Sequence, residues 1–405
     1  MRKIDPRDPD FDHIRAAADV LKAGGLVAFP TETVYGLGAD ALRSEAARKI
    51  YAAKGRPSDN PLIIHIADFD ALYRIAREIP PQTRLLADAF WPGPLTMIFR
   101  KSEIVPYETT GGLDTVAVRM PDHPAALALI RESGGYIAAP SANTSGRPSP
   151  TLAEHVAEDL AGKIPLILDG GTVGIGIEST IIDLSCITQT ADGAWVADET
   201  PLVLRPGYIT REMLAEVIGA VGDDPGLAGD TDRELTGAVG NSPGLTGDTD
   251  KGTAGAADNG PAGAADPELR EIVGFDPAGA AAYPKAPGMK YRHYAPKAEM
   301  LIVSGAGEAV IRRINTMAAE NRRRGIKTGV ICTEETERRY QAEFVRSIGS
   351  RADEDSIARH LFAVLREMDA LGADRIYSES FSSLRIGTAV MNRLMKAAGH
   401  HVLHV

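Results

Sequence analysis

PTETVYGLG at residues 30–38, KGRPSDNP at 54–61 and PSANTSG at 140–146 decide how this chain is read. Each is a glycine- or proline-shaped turn that carries small hydroxyl, basic and amide groups beside an apolar strand. In α/β proteins ligand sites form at such points, because backbone N–H groups and short side chains at strand ends converge there. The ligand these groups suit is anionic. Lys54, Arg56 and Arg119 supply positive charge, and the reading expects almost no acid beside them.

Outward from these turns, strands and helices alternate. A helix is expected over about 11–23, ending at Gly24-Gly25, with the strand LVAF (26–29) after it. Ser44 is read as the cap of a helix SEAARKIYAAK that delivers Lys54 at its end, and Asp68 as the cap of the next helix after strand LIIHIA (62–67). LTMIFRK (95–101) and TVAVRMP (115–121) are strands, HPAALALIRES is helical, and YIAAPSA, LILDGG, ESTIIDL and VLRPG each end a short strand at a turn. This predicts a mixed α/β domain over 1–220. A second alternation, with strands at 299–304, 328–333, 344–348, 374–378 and 401–405 and helices near 307–323, 354–370 and 385–398, predicts a smaller Rossmann-like parallel-sheet domain over 297–405. It lacks a G-x-G-x-x-G turn; SGAGEA (304–309) is a partial echo.

Between the domains, 221–296 reads as a linker. Residues 222–268 hold no aromatic residue, no Ile and no Met, and PGLAGDTD (225–232) returns as PGLTGDTD (243–250). Such a stretch buries too little apolar surface to offset its ordering entropy, so a disordered acidic Gly/Ala/Asp-rich insert is expected. It accounts for −8 of the formal net charge of −11, so only −3 remains elsewhere. A strongly basic nucleic-acid binder is not indicated. The 405 residues suggest ~2–3 domains, and 44% hydrophobic content supports real cores. No apolar run approaches the ~20 residues of a bilayer span. Cys186 and Cys332 lack any CxxC spacing and read as buried thiols. A cytoplasmic protein with no membrane association and no metal site is expected.

The chemistry follows from residue types. Lys54 and Arg56, two apart at a helix end, can face one cavity or merely complement the helix dipole. His65 on its strand suits a hydrogen-bonded core residue as well as a ligand contact. Ser141, Asn143, Thr144 and Ser145 can cradle phosphate oxygens, although hydroxyl-rich turns also form for local reasons. Arg119 at a strand end can pair bidentately with a carboxylate. GIEST (176–180) places Ser179 and Thr180 at a strand start, and Arg205 ends another strand. No Walker A loop, nucleophile elbow or carboxylate pair is visible. Catalysis should therefore rest on positioning and electrostatic stabilisation, as in phosphoryl and nucleotidyl transfer.

PTETVYGLG, KGRPSDNPLIIHI, WPGPLT, VAVRMP, PSANTSG and GIESTIID occur in the order found in YrdC-type proteins. With PGMKYRHYAP (287–296) and a C-terminal α/β domain, the chain resembles the two-domain threonylcarbamoyl-AMP synthases over about 1–215 and 287–405. The resemblance implies a YrdC-like open twisted mixed sheet with a concave, positively charged cavity. It implies synthesis of L-threonylcarbamoyladenylate and pyrophosphate from L-threonine, bicarbonate and ATP. Mg accompanies ATP as substrate, with no tightly bound cofactor, and the product goes to a tRNA threonylcarbamoyltransferase complex. Carried over by motif, Lys54, Arg56, Ser141 and Asn143 surround ATP, with Lys54 and Arg56 catalytic. Asn60, Thr115, Ser149 and Arg205 are further nucleotide contacts, and Thr33, His65, Arg119 and Ser179 are threonine contacts. PGMKYRHYAP resembles the linker that covers the active site, where His293 or Tyr294 would touch the nucleotide. The insert of about fifty residues is longer than the family pattern.

Two rival readings carry tests of their own. An RNA-binding module of the same fold would hold RNA in the basic concavity, weakly and with steep salt dependence. A hydrogenase-maturation carbamoyltransferase would need zinc fingers, which two cysteines cannot build.

Overall fold

The computed structural model describes residues 1–5, 7, 10–228, 284–287, 293–381 and 385–405. Most of the expected insert and residues 288–292 of the PGMKYRHYAP segment lie outside them. Among the described residues, eleven strands form one mixed sheet in the order Arg2–Lys3, Leu166–Asp169, Val27–Phe29, Gly36–Asp40, Ile137–Ala138, Ile63–His65, Thr115–Arg119, Leu95–Arg100, Thr180–Asp183, Leu202–Arg205 and Gly222–Asp223. Register is what builds the site. Ile63–His65 runs parallel to Thr115–Arg119 with His65 opposite Arg119, and Thr96 of the next strand also faces Arg119. The expected motif residues thus come side by side at strand ends.

The C-terminal domain is a five-stranded parallel sheet, ordered Phe344–Ser347, Thr328–Cys332, Arg375–Glu379, Glu299–Ser304 and Val402–His404. Its Glu354–Leu371 helix buries Ile357, Leu361, Phe362 and Leu365 along one face, the 3–4 spacing of an amphipathic helix. That face also receives Val34, Ile177 and Tyr294, so the two domains share one apolar cluster.

Four local readings need correction. Gly222 and Asp223 pair with Leu202 and Val203, so the eleven-stranded sheet extends into the segment read as insert. Ser44 does not cap its helix. It is the first helical residue after an N-cap at Arg43, and its hydroxyl donates to Glu108 at 2.9 Å. Asp68 stands at the N-cap of a short 3-10 turn, Phe69–Ala71, that runs into a one-turn helix, Leu72–Ile75, but its side chain makes no cap hydrogen bond. Cys332 is buried but Cys186 is half-buried. Among the described residues no helix is long and apolar enough to cross a membrane.

Candidate active site

The Ser44–Lys54 helix ends at Gly55, which takes a left-handed φ of 63° that favours glycine. The chain reverses there, leaving Lys54 buried inward and Arg56 just beyond it. The Lys54 ammonium donates to the backbone carbonyls of Ser141 and Asn143, tying the helix end to the 140–146 loop. The backbone seals the same junction, since Ser145 N–H donates to the Lys54 carbonyl and Ala142 N–H to the Tyr35 carbonyl, each at 2.8 Å. Burial, then the nearby Arg56 charge, holds the Lys54 pKa well below the usual ammonium range. Such a group gains from an anionic partner.

These loops enclose a cleft of about 730 Å³, its open mouth included. Its lining includes Lys54, Arg56, Ser141, Asn143, Ser149, Arg205 and His293, with Thr33, His65, Arg119 and Ser179 deeper in the sheet. Two expected residues do not line it. Asn60 is buried behind Arg56, where its side-chain oxygen accepts from the guanidinium at 2.6 Å and so orients it. Thr115 opens the strand that Arg119 closes, roughly 13 Å away at strand spacing.

The deep end is a network of hydroxyls and one imidazole. Ser179 Oγ lies 2.8 Å from Thr96 Oγ1 and accepts from Arg205 at 3.1 Å, while Arg205 Nε donates to the Ser179 carbonyl at 3.0 Å. Thr33 Oγ1 lies 2.9 Å from Thr31 Oγ1. Burial and then the Arg119 charge push His65 down to about 3, so its ring is neutral at pH 7. His65 Nδ1 faces the Ile63 carbonyl at 3.2 Å. A carbonyl only accepts, so this contact calls for a proton on Nδ1.

Beside the cleft, the ring of Tyr294 stacks on Phe362 of the C-terminal domain with ring centroids 5.0 Å apart. Tyr294 sits at φ 64°, a left-handed conformation costly for a non-glycine residue. The stacking and the Ala295 N–H bond to the Gly146 carbonyl at 2.9 Å hold it there. The neighbouring His293 lines the cleft, is pushed down to about 3 by burial and then Arg56, and has no hydrogen-bond partner for its buried Nε2 among the described residues.

The expectation that acids are nearly absent was wrong. Glu32 lies 2.7 Å from Arg119, and Glu178 lines the cleft beside Arg205 and is paired with Arg393. Asp159 lies behind the 140–146 loop, accepting Thr144 N–H at 3.0 Å and Arg366 from the C-terminal domain at 2.8 Å. Glu32 and Glu178 stand inside the quoted motifs PTETVYGLG and GIEST, so an acid flanked by hydroxyls was the available signal.

Comparison with known proteins places this geometry. Residues 19–192 match the Sua5–YciO–YrdC family model described as telomere recombination, and residues 264–399 match the model described as the threonylcarbamoyl-AMP synthase C-terminal domain. The chain is similar to threonylcarbamoyl-AMP synthase of Pyrococcus abyssi, 45% identical over 97% of this chain and 96% of the relative. It is also similar to threonylcarbamoyl-AMP synthase of Bacillus subtilis, 43% identical over 99% and 96%. The crystal structure of Pyrococcus abyssi Sua5 complexed with L-threonine superposes with a TM-score of 0.79 at 43% identity, covering 100% of this chain and 99% of that one.

Proposed function

Since this chain belongs to the family of two-domain threonylcarbamoyl-AMP synthases, we infer that it makes L-threonylcarbamoyladenylate and pyrophosphate from L-threonine, bicarbonate and ATP. The observation that carries the reading is one cleft with two chemistries. Arg119, His65, Thr33 and Ser179 suit a small hydroxy amino acid, and Lys54, Arg56 and the 140–146 loop suit a triphosphate.

The residues divide the work as follows. Arg119 takes the threonine carboxylate, and the neutral His65 and the Ser179 and Thr33 hydroxyls meet its polar groups. A site that hydrogen-bonds the threonine hydroxyl rejects analogues lacking it. Bicarbonate takes up a proton and releases water to give CO2. The threonine amine, freed of its ammonium proton, attacks that carbon, and the nitrogen sheds a second proton as the carbamate C–N bond forms. A carbamate oxygen then attacks the α-phosphorus. The bond from that phosphorus to the bridging oxygen breaks, and pyrophosphate leaves with the electron pair. Lys54 and Arg56 neutralise charge that builds on the phosphoryl oxygens, and Arg205 supports them from behind Ser179. Ser141, Asn143, Ser149 and His293 hold the nucleotide, with Asn60 acting through Arg56. Magnesium is proposed to arrive as part of the ATP substrate.

The enzyme is thus a nucleotidyltransferase whose labile product is consumed by a tRNA threonylcarbamoyltransferase complex next to the anticodon, with the cytoplasm as its compartment. The RNA-binding alternative is not favoured, because full-length relatives carry the synthase name. Incubation with ATP, L-threonine and ¹³C-bicarbonate tests the reaction. An adenylate heavier by one mass unit than the unlabelled product is expected. An adenylate without the label, or none, would contradict it.

A further inference from the structure

Arg393 lies on the Ile386–Ala397 helix of the C-terminal domain and is completely buried. Its Nε donates to Glu178 Oε2 at 3.1 Å, and its Nη1 donates to the Pro206 carbonyl and, at 3.5 Å, to the Ala389 carbonyl. The other oxygen of Glu178, Oε1, accepts the Ser149 hydroxyl at 2.5 Å. Glu178 and Ser149 line the cleft and Arg393 does not. One chain of contacts therefore runs from the C-terminal domain to the nucleotide loop.

Packing alone does not require this arrangement. A buried guanidinium is costly to desolvate, and apolar residues of similar volume commonly replace such pairs without loss of stability. What the pair does fix is polarity. Arg393 and Arg205 hold the Glu178 carboxyl below its ordinary range although burial opposes them. An ionised carboxylate only accepts. The Ser149 proton must then point at Glu178, and the serine turns lone pairs toward the cleft. A phosphate oxygen also only accepts, so the matching group on ATP is a donor, a ribose hydroxyl or the adenine amine.

We propose that Arg393 is a positioning residue for ATP, acting through Glu178 to fix the Ser149 hydroxyl as an acceptor toward the nucleotide. Docking of the C-terminal domain thereby sets ATP affinity without touching substrate. This rests on the synthase reading above and gives that domain a stated part in it.

The test is calorimetric binding of ATP and, separately, of L-threonine to the full chain and to Arg393→Met, Arg393→Lys, Ser149→Ala and the double variant Arg393→Met/Ser149→Ala. Each of Arg393→Met and Ser149→Ala is expected to weaken ATP binding roughly five- to tenfold, the worth of one hydrogen bond between neutral groups. L-Threonine binding should stay within about twofold, and the double variant should bind ATP no more weakly than either single variant, because residues in one network do not add. Arg393→Lys keeps the charge and should restore part of the affinity. Additive losses, equal weakening of both ligands, or unchanged ATP affinity would each overturn the proposal. Should Arg393→Met fail to fold, the cycle of Arg393→Lys with Ser149→Ala carries the same additivity criterion. Unchanged variants beside an ATP-binding, active wild type would remove the relay alone. A wild type that binds no ATP would remove the synthase reading and the relay together.

Discussion

Arg119 and Glu32 approach to 2.7 Å, a buried guanidinium and a partly buried carboxylate that neutralise each other without an aligned hydrogen bond. The Arg119 Nη2 and both Glu32 oxygens have no hydrogen-bond partner among the described residues. The guanidinium therefore keeps donor capacity for a second carboxylate, which the proposed threonine contact would use. Glu32→Gln would leave Arg119 uncompensated, and removing one partner of a buried pair costs about 3–5 kcal/mol. The melting temperature should fall. Saturating L-threonine, which supplies the missing negative charge, should raise it by more in Glu32→Gln than in the wild type. An equal or smaller threonine-induced rise would contradict this role for Arg119.

Lys54 joins the 140–146 loop to its helix and is the residue proposed to meet the phosphates. Lys54→Ala leaves the Ser141 and Asn143 carbonyls unpaired, so ATP affinity should drop by roughly 10–100-fold and turnover should become undetectable. Lys54→Arg should not rescue it, because the slot is 1% exposed and shaped for one compact ammonium. An arginine variant within about tenfold of wild-type kcat/KM would show that charge alone suffices.

Acid should weaken the fold before the carboxylates titrate. Burial first, then Arg119, Arg56 and Arg366 respectively, pushes His65 and His293 down to about 3 and His155 to about 4. Their ordinary value is 6.5, so between pH 6.5 and about 4 the unfolded chain binds three protons that the folded chain refuses. Stability is full above pH 6.5 and falls as pH drops, by up to about 4 kcal/mol per pH unit for three protons. Glu178, depressed below 4.5, adds its loss only at lower pH. Urea midpoints at pH 7.5, 6.5 and 5.5 check this, and His65→Gln should flatten the slope by about one proton. Flat stability from pH 7 to 5 would refute it.

Deleting residues 229–268, which joins Ala228 to Leu269, should leave kcat/KM within about twofold, because closure entropy grows only as ~(3/2)RT ln n. A deletion starting at Gly222 should cost more, since it removes the strand paired with Leu202–Val203. Abolished activity in the shorter deletion would assign the insert a catalytic part.

The sequence carried the strand-end motifs well, because each turn is dictated locally by glycine, proline and small polar residues. Lys54, Arg56, Arg119, Ser141, Asn143, Ser149, Ser179 and Arg205 line one cleft as expected. Facing direction was less legible. Thr115 and Asn60 belong to the same motifs, yet strand direction carries one away from the cleft and the turn at Pro57 folds the other behind Arg56. Interdomain charges were missed because burial across an interface is a tertiary property. A signal existed, since Arg393 falls on the stripe of Ile386, Ala389, Val390, Leu394 and Ala397 at 3–4 spacing. A charge in an apolar stripe calls for a buried partner, and Glu178 is that partner.

The most direct test of the account is pyrophosphate release from ATP with bicarbonate, with and without L-threonine, coupled to mass detection of the adenylate. Release that depends on L-threonine, together with the mass of threonylcarbamoyl-AMP, is the result the account requires. Release that ignores L-threonine, or a folded, ATP-binding chain that releases none, would contradict it.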